Sequence, residues 1–187
     1  MAVRLSRATL GQLGPSVGVP GYQREDLSPG IVHIGVGNFH RAHQAAYLDE
    51  LFEHGLDHNW AIVGTGVRES DTEMGRDLAA QDFLTTVVTQ EAGRSQARVT
   101  GAMIDFVAPG ETAAILERLV DPRTRIVSLT VTEGGYYIDP ATQAFDPGHP
   151  DILADAADRL AAPKTAFGLI AAGLLGRRAA GLPPFTV

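Results

Sequence analysis

The sequence contains no cysteine, so disulfides and thiolate metal sites are both excluded, and the redox state of its compartment leaves no trace in it. Lysine is almost missing too: Lys164 is the single one among 15 basic residues. Those are outnumbered by 22 acidic residues, and the net charge of −7 is spread along the chain without an acidic tail. That balance argues against nucleic acid and anionic membrane surfaces as partners. Nor is there a long apolar run. Residues 166–175, the most apolar stretch, fall far short of the ~20 residues needed to cross a bilayer. Residues 1–14 carry Arg4 and Arg7 without the apolar core of a secretory leader. These absences lead to the expectation of a cytoplasmic protein that does not enter membranes.

What is present suits one domain: 187 residues, 44% of them hydrophobic. The chain is organised around Ile31-Val32-His33-Ile34-Gly35-Val36-Gly37-Asn38-Phe39-His40-Arg41. Residues 31–36 read as a buried strand. Residues 38–53 read as a helix with Ala45, Leu48 and Phe52 on one face, ended by His54-Gly55. Between them, Gly35 allows a turn that a side chain would block, and Gly37 lets the backbone approach a pyrophosphate. A helix start there would face an anion. The full dinucleotide fingerprint wants a third glycine, and this chain has His40 in its place.

Residues 60–63 form the next strand, parallel to the first across a βαβ unit. Residues 83–89 and 98–107, rich in β-branched side chains, flank Glu91-Ala92-Gly93-Arg94-Ser95 and predict an inserted β-hairpin. Helices are expected at 111–120, 151–160 and 165–180, a buried strand at 126–131, and one more strand from Phe185. Residues 1–30, with Pro15, Pro20, Gly21, Pro29 and Gly30, read as a leader packing on the domain, with one short helix at 6–13. The fold class is α/β: a Rossmann-like doubly wound parallel sheet with an inserted hairpin.

Three blocks carry a family resemblance: Gly35 to Gln44 (GVGNFHRAHQ), Arg125 to Tyr136 (RIVSLTVTEGGY), and Pro163-Lys164-Thr165-Ala166-Phe167-Gly168 running into Arg177-Arg178-Ala179-Ala180-Gly181 and Pro184-Phe185-Thr186-Val187. In this order they resemble the N-terminal half of the long-chain polyol dehydrogenases, the family of mannitol 2-dehydrogenase and fructuronate reductase. The resemblance implies an NAD-binding domain at 31–187 and hydride transfer between a polyol or keto-sugar and NAD. It also implies a following helical domain, an intramolecular partner that supplies the catalytic lysine and most substrate contacts. Lys164 matches the family's Pro-Lys-Thr helix start instead, so the chain to Val187 is expected to be inactive alone. A hexuronate reductase and a stand-alone nucleotide-binding module remain alternatives.

Candidate site residues follow from the strand ends, where an open parallel sheet takes its ligand. Cofactor contacts are expected at Ile34, Gly35, Val36, Gly37, Asn38, Phe39, His40, Arg41, Asp71, Thr132 and Gly134. Asp71, with Glu69 as an alternative, follows the second strand, where an acid meets the ribose hydroxyls and favours NAD over NADP; against this, Arg68 nearby can accept a phosphate. Asp57 has the nominal spacing but precedes that strand and lies at the wrong end of the sheet. Arg41 can reach a phosphate. Phe39 reads as core packing before cofactor stacking. The resemblance places Glu133 beside the active site as a proton relay. His40 and His43 are three apart on a helix, too few ligands for zinc, and no metal is expected.

Overall fold

Ile31-Val32, Ile62-Val63 and Ile126-Val127 are β-branched pairs with apolar or small neighbours, suited to strands covered on both faces. The computed structural model describes residues 3–187 and sets all three pairs side by side in one parallel sheet. The strands are β1 (Val17–Gly18), β2 (Pro29–Ile34), β3 (Ala61–Thr65), β4 (Thr85–Glu91), β5 (Arg94–Thr100), β6 (Met103–Val107) and β7 (Ile126–Leu129). The helices are α1 (Asn38–Ala42), α2 (Gln44–Glu53), α3 (Ser70–Ala79), α4 (Thr112–Val120), α5 (Pro150–Ala157) and α6 (Ala166–Ala179).

The main sheet runs β6-β3-β2-β7, all parallel, and Thr186 adds a parallel bridge beside Ile126. The chain goes outward from β2 to β3 and β6, and α4 then carries it back to β7 on the other side of β2. Strand order therefore reverses between β2 and β7, and this switch point opens a crevice at their carboxyl ends. Helices cover both faces, as the doubly wound reading requires. On one, Val32, Ile34, Val63 and Val127 pack against Ile115 and Leu119 of α4 and Leu169 of α6. On the other, Ile31, Ile62 and Met103 pack against Ala45 of α2 and Leu78 of α3.

Two expectations need correction. Residues 38–53 are not one helix: α1 ends after five residues, and His43 (φ −119°, ψ −81°) separates it from α2. Residues 98–107 are not one hairpin strand. β4 and β5 form the antiparallel hairpin, but the chain turns at Gly101-Ala102 and Met103–Val107 leaves it to become the edge of the main sheet. Val99 and Thr100 before the break and Ile104 and Val107 after it read as one strand, and the marker of the break was Gly101. A side chain there would press on Arg24, whose guanidinium donates to the carbonyls of Gly101, Asp82 and Met103.

Arg24 belongs to the leader, which adds more than a surface coat. Val17 and Gly18 pair in parallel with Ala97 and Arg98, and Leu27 enters the core. Asp49 of α2 binds these parts together. Fully buried, it accepts from the Tyr22 hydroxyl, from the Gly101 N–H at 2.7 Å and from the Arg98 guanidinium. Burial and the neighbouring carboxylate raise the Tyr22 pKa well above its usual value, so the hydroxyl stays a donor. One carboxylate thus ties leader, helix and hairpin. Asp49→Ala is expected to lower unfolding free energy by about 3 kcal/mol, because three donors lose their acceptor at once. Urea denaturation of both proteins measures it, and a loss under about 1 kcal/mol would count against Asp49 as the tie.

Candidate functional site

The crevice begins at the turn after β2. Gly35 has φ +94°, and a Cβ there would lie 2.8 Å from the Thr130 carbonyl oxygen beyond β7. Both facts demand glycine. Gly37 differs. Its φ of −97° suits any residue, and a Cβ would meet nothing nearer than the Gly35 carbonyl oxygen at 3.9 Å. The fold leaves Gly37 free to be larger, and the space beside it opens into the crevice.

That crevice encloses about 150 Å³. Gly35, Gly37 and Thr130 form its floor, while Val67 and Met74 stand on one side and Val131 on the other. Asp71 sits in the first turn of α3. Its Oδ2 accepts from the Val67 and Arg68 N–H groups at 3.1 Å each, while Oδ1 takes no hydrogen bond among the described residues. The Arg68 guanidinium reaches across the crevice and donates to the Thr132 hydroxyl. Glu69 is exposed at the start of α3. Asp57 (φ 55°) lies before β3, at the amino end, as the strand-end argument requires.

Other predicted residues separate by backbone and side chain. Ile34, Val36 and His40 are buried, so their side chains face the interior and only their backbone can meet a ligand. Asn38 is exposed, and its Oδ1 accepts from Arg41 Nη2 at 2.6 Å. Arg41 is thereby folded back over the turn, with Nε 3.4 Å from the Gly37 carbonyl oxygen. Phe39 is not core: it is 66% exposed and stacks on His43 at 4.5 Å. The early end of α1 turns its outer face, with Phe39, to solvent. It also shortens the helix dipole, which leaves the open backbone at Gly37 as the stronger anion-facing feature. Thr132 precedes the short 3₁₀ turn Glu133–Tyr136, and Glu133 and Gly134 line an adjoining hollow with Tyr136 and Ile138. Lys164 stands exposed before α6, its N–H bonded to Asp155 Oδ1 at 2.8 Å. Among the described residues no three His, Asp or Glu side chains gather as a metal site would need, and no helix is long and apolar enough to cross a membrane.

Sequence reasoning missed the polar network beneath the turn. His33, next to last in β2, is buried; its Nδ1 lies 2.8 Å from the Ser128 hydroxyl and its Nε2 3.0 Å from the Thr130 hydroxyl and 3.2 Å from the Gly35 carbonyl oxygen. The Thr130 hydroxyl itself donates to that carbonyl at 2.8 Å. The network is satisfied with the proton on Nε2, which donates, and with Nδ1 accepting from Ser128. His40 stacks on His33 with ring centres 3.7 Å apart and planes 13° from parallel. The available signal was a histidine inside Ile31-Val32-His33-Ile34, a polar ring that a buried strand must satisfy. Burial lowers the His33 pKa to about 4, against a smaller raising effect of the Gly35 carbonyl. Burial, then the His33 and Arg41 charges, lower that of His40 to about 3. Both rings are neutral at physiological pH.

Compared with known proteins, the chain matches the family model of the mannitol dehydrogenase Rossmann domain over residues 29–187. It is 60% identical over 173 residues to a mannitol 2-dehydrogenase of Cereibacter sphaeroides, covering 92% of this chain and 36% of that protein. It is 44% identical to a polyol:NADP oxidoreductase of Gluconobacter oxydans, over 98% of this chain and 38% of that one. Among solved structures, the ternary complex of Pseudomonas fluorescens mannitol 2-dehydrogenase with NAD and D-mannitol superposes with a TM-score of 0.91 at 44% identity, over 97% of this chain and 37% of that chain. The chain thus spans little more than a third of the length of these relatives.

The buried imidazoles set a pH dependence. Both rings bind protons less readily folded than unfolded, so the unfolded chain takes up more protons as pH falls below 6.5. Stability from their neutral burial is complete above pH 6.5 and is lost as pH falls toward 4. Each ring adds a slope of at most about 1.4 kcal/mol per pH unit in that window. His40→Phe is expected to flatten the stability profile between pH 6.5 and 4. Denaturant midpoints across that range check it, and an unchanged slope would refute it.

Proposed function

The chain belongs to the mannitol dehydrogenase family, and from that premise we propose that it forms the NAD-binding part of a polyol oxidoreductase. The reaction is hydride transfer between a polyol CH–OH, of the mannitol-to-fructose type, and the nicotinamide. Residues 31–187 form the binding domain, and residues 1–30 the leader that steadies it. The complete polypeptide adds a helical domain that brings the catalytic lysine and most substrate contacts, and it acts in the cytoplasm on a small polyol or keto-sugar.

Gly37 carries the dinucleotide reading. Neither its φ nor its neighbours require glycine, so packing within the folded chain gives no reason for the missing side chain. A pyrophosphate lying against the backbone supplies one. The lining of the crevice supports the same reading: Val67, Met74 and Val131 offer apolar walls, and Asp71 Oδ1 remains open to ribose hydroxyls. A carboxylate there repels a 2′-phosphate, which supports NAD over NADP.

When bound, NAD supplies the hydride acceptor. The chain's own residues hold and orient it: the Gly35–Gly37 turn under the pyrophosphate, Ile34, Val36 and His40 through backbone, and Asn38, Phe39 and Arg41 along the rim. Thr132 and Gly134 border the nicotinamide side. Arg68 must release Thr132 as the ligand enters, and its guanidinium is then free for a phosphate oxygen. Oxidation of the CH–OH releases a proton besides the hydride, and Glu133, exposed in the short turn that follows β7, is the residue we assign to relay it together with the catalytic lysine of the following domain.

Two measurements test this. Gly37→Ala is expected to leave the melting temperature within about 2 °C but weaken NADH binding by roughly tenfold, whereas Gly35→Ala lowers stability itself. Equal binding by Gly37→Ala would remove the pyrophosphate from this turn. Asp71→Asn keeps an oxygen for the Val67 and Arg68 N–H groups but removes the charge. The NADH-to-NADPH affinity ratio is expected to fall by about tenfold, as for a lost charged hydrogen bond. Titration of both cofactors reads it, and an unaltered ratio would end the ribose role.

A further inference from the structure

The fingerprint expects a small residue at position 40 because helix and strand pass closely there. This chain instead fills the gap with two aromatic rings, one from each side. His40 of α1 is 1% exposed and lies flat on His33 of β2, which is fully buried. Neither nitrogen of His40 has a hydrogen-bond partner among the described residues. An orphaned buried polar atom is costly, so hydrogen bonding does not account for this ring. Its flat face against His33 does.

His33 is what the stack acts on. Its Nε2 reaches the Gly35 carbonyl oxygen and the Thr130 hydroxyl, and its Nδ1 the Ser128 hydroxyl, itself 3.2 Å from the Gln44 side-chain amide. Hydrogen bonds at imidazole nitrogens are strongest in the plane of the ring, so a tilt of the ring weakens them. The Gly35 carbonyl they hold also accepts from the Gly37 N–H at 2.8 Å, which closes the turn. A chain of contacts therefore leads from the His40 ring, through the plane of His33, to the two glycines of the crevice floor.

The geometry points to His33 and His40 as positioning residues of the dinucleotide turn: His40 clamps the His33 ring in the plane where its nitrogens fix the Gly35 carbonyl, and the pair substitutes for the third fingerprint glycine. The inference rests on the dinucleotide reading above. Neither side chain lines the crevice, so neither side chain is a cofactor contact; the backbone of His40, which meets the dinucleotide in the reading above, is the same in every ring variant. Only a flat ring is needed at 40, but an imidazole is needed at 33.

The test uses the natural full-length polypeptide, with NADH titrated by fluorescence, steady-state kinetics in NAD, and thermal melting. His40→Phe keeps a stacking ring and is expected to bind NADH within about threefold of the unsubstituted protein. His40→Gly and His33→Phe are expected to raise the dissociation constant and the KM for NAD by about tenfold, with kcat at saturating NAD reduced less than KM is raised. Unimpaired binding by His33→Phe overturns the proposal. So does an equal loss in folded His40→Phe and His40→Gly, which would mean that the nitrogens matter and the ring face does not. A loss of kcat with KM unmoved also overturns it. Should a His40 variant not fold, His33→Phe decides alone. If the unsubstituted protein itself does not bind NADH, the dinucleotide reading fails and this role fails with it. Binding by that protein, with no difference among the variants, removes the positioning role only.

Discussion

The close approach of β2 and β7 at their carboxyl ends is the constraint on which the structure depends. Two parallel strands are neighbours there, yet their continuations part: one turns up into α1, the other runs on to Thr130 and Thr132. The turn out of β2 must clear the backbone beyond β7, and only a residue without Cβ, at positive φ, passes. Once Gly35 is there, its carbonyl points down into the sheet, where His33 and Thr130 hold it. The crevice is the space left above. Its walls come from the loops after β3 and β7, so the binding surface follows from where strand order reverses.

A second feature is the number of polar groups used inside. Asp49 ties leader to hairpin, and Asp155 holds the Lys164 and Thr165 N–H groups at the start of α6. Arg177, 2% exposed, donates to the carbonyls of Leu119, Asp121 and Pro183, pinning α6 to the end of α4 and to the last segment. Each fastens a junction between elements and not the middle of one. Apolar packing is non-directional and tolerates sliding. Hydrogen bonds at junctions remove that freedom, and they are costly to leave unmade. The His33 network belongs to the same class, with the difference that the junction it fastens is the ligand-binding turn.

The glycine turn, the parallel neighbours, the hairpin and the family were legible because each depends on short stretches of chain. Gly35 announces a backbone that no other residue adopts, and Gly55 (φ 71°) ends α2 where a left-handed cap was expected. Asp57 could be set aside because the end of a strand is a matter of chain direction alone. The break at Gly101 and the stop at His43 were not legible. One glycine at 101 and one histidine at 43 do not by themselves say that a run ends, while the breaks answer to Arg24, far away in sequence, and to the packing of α1 on β2.

Side-chain direction marks the same boundary. The stretch from Ile34 to Arg41 was rightly seen as one turn, but its residues alternate between roles that only packing assigns. Ile34, Val36 and His40 point inward, while Asn38 and Phe39 face solvent. By itself the sequence determined the three central strands, the helices α4 and α6, the glycine at position 35 and the family to which the chain belongs, since local sterics and periodic burial act over a few residues; it did not announce α3 or the short strand β1. Tertiary structure alone decided that His33 meets His40 and Thr130, that Arg68 spans to Thr132, and that Asp49 gathers three donors. Those pairings join residues from different elements, and the separation of two side chains across a sheet is a property of the folded backbone that no stretch of sequence contains.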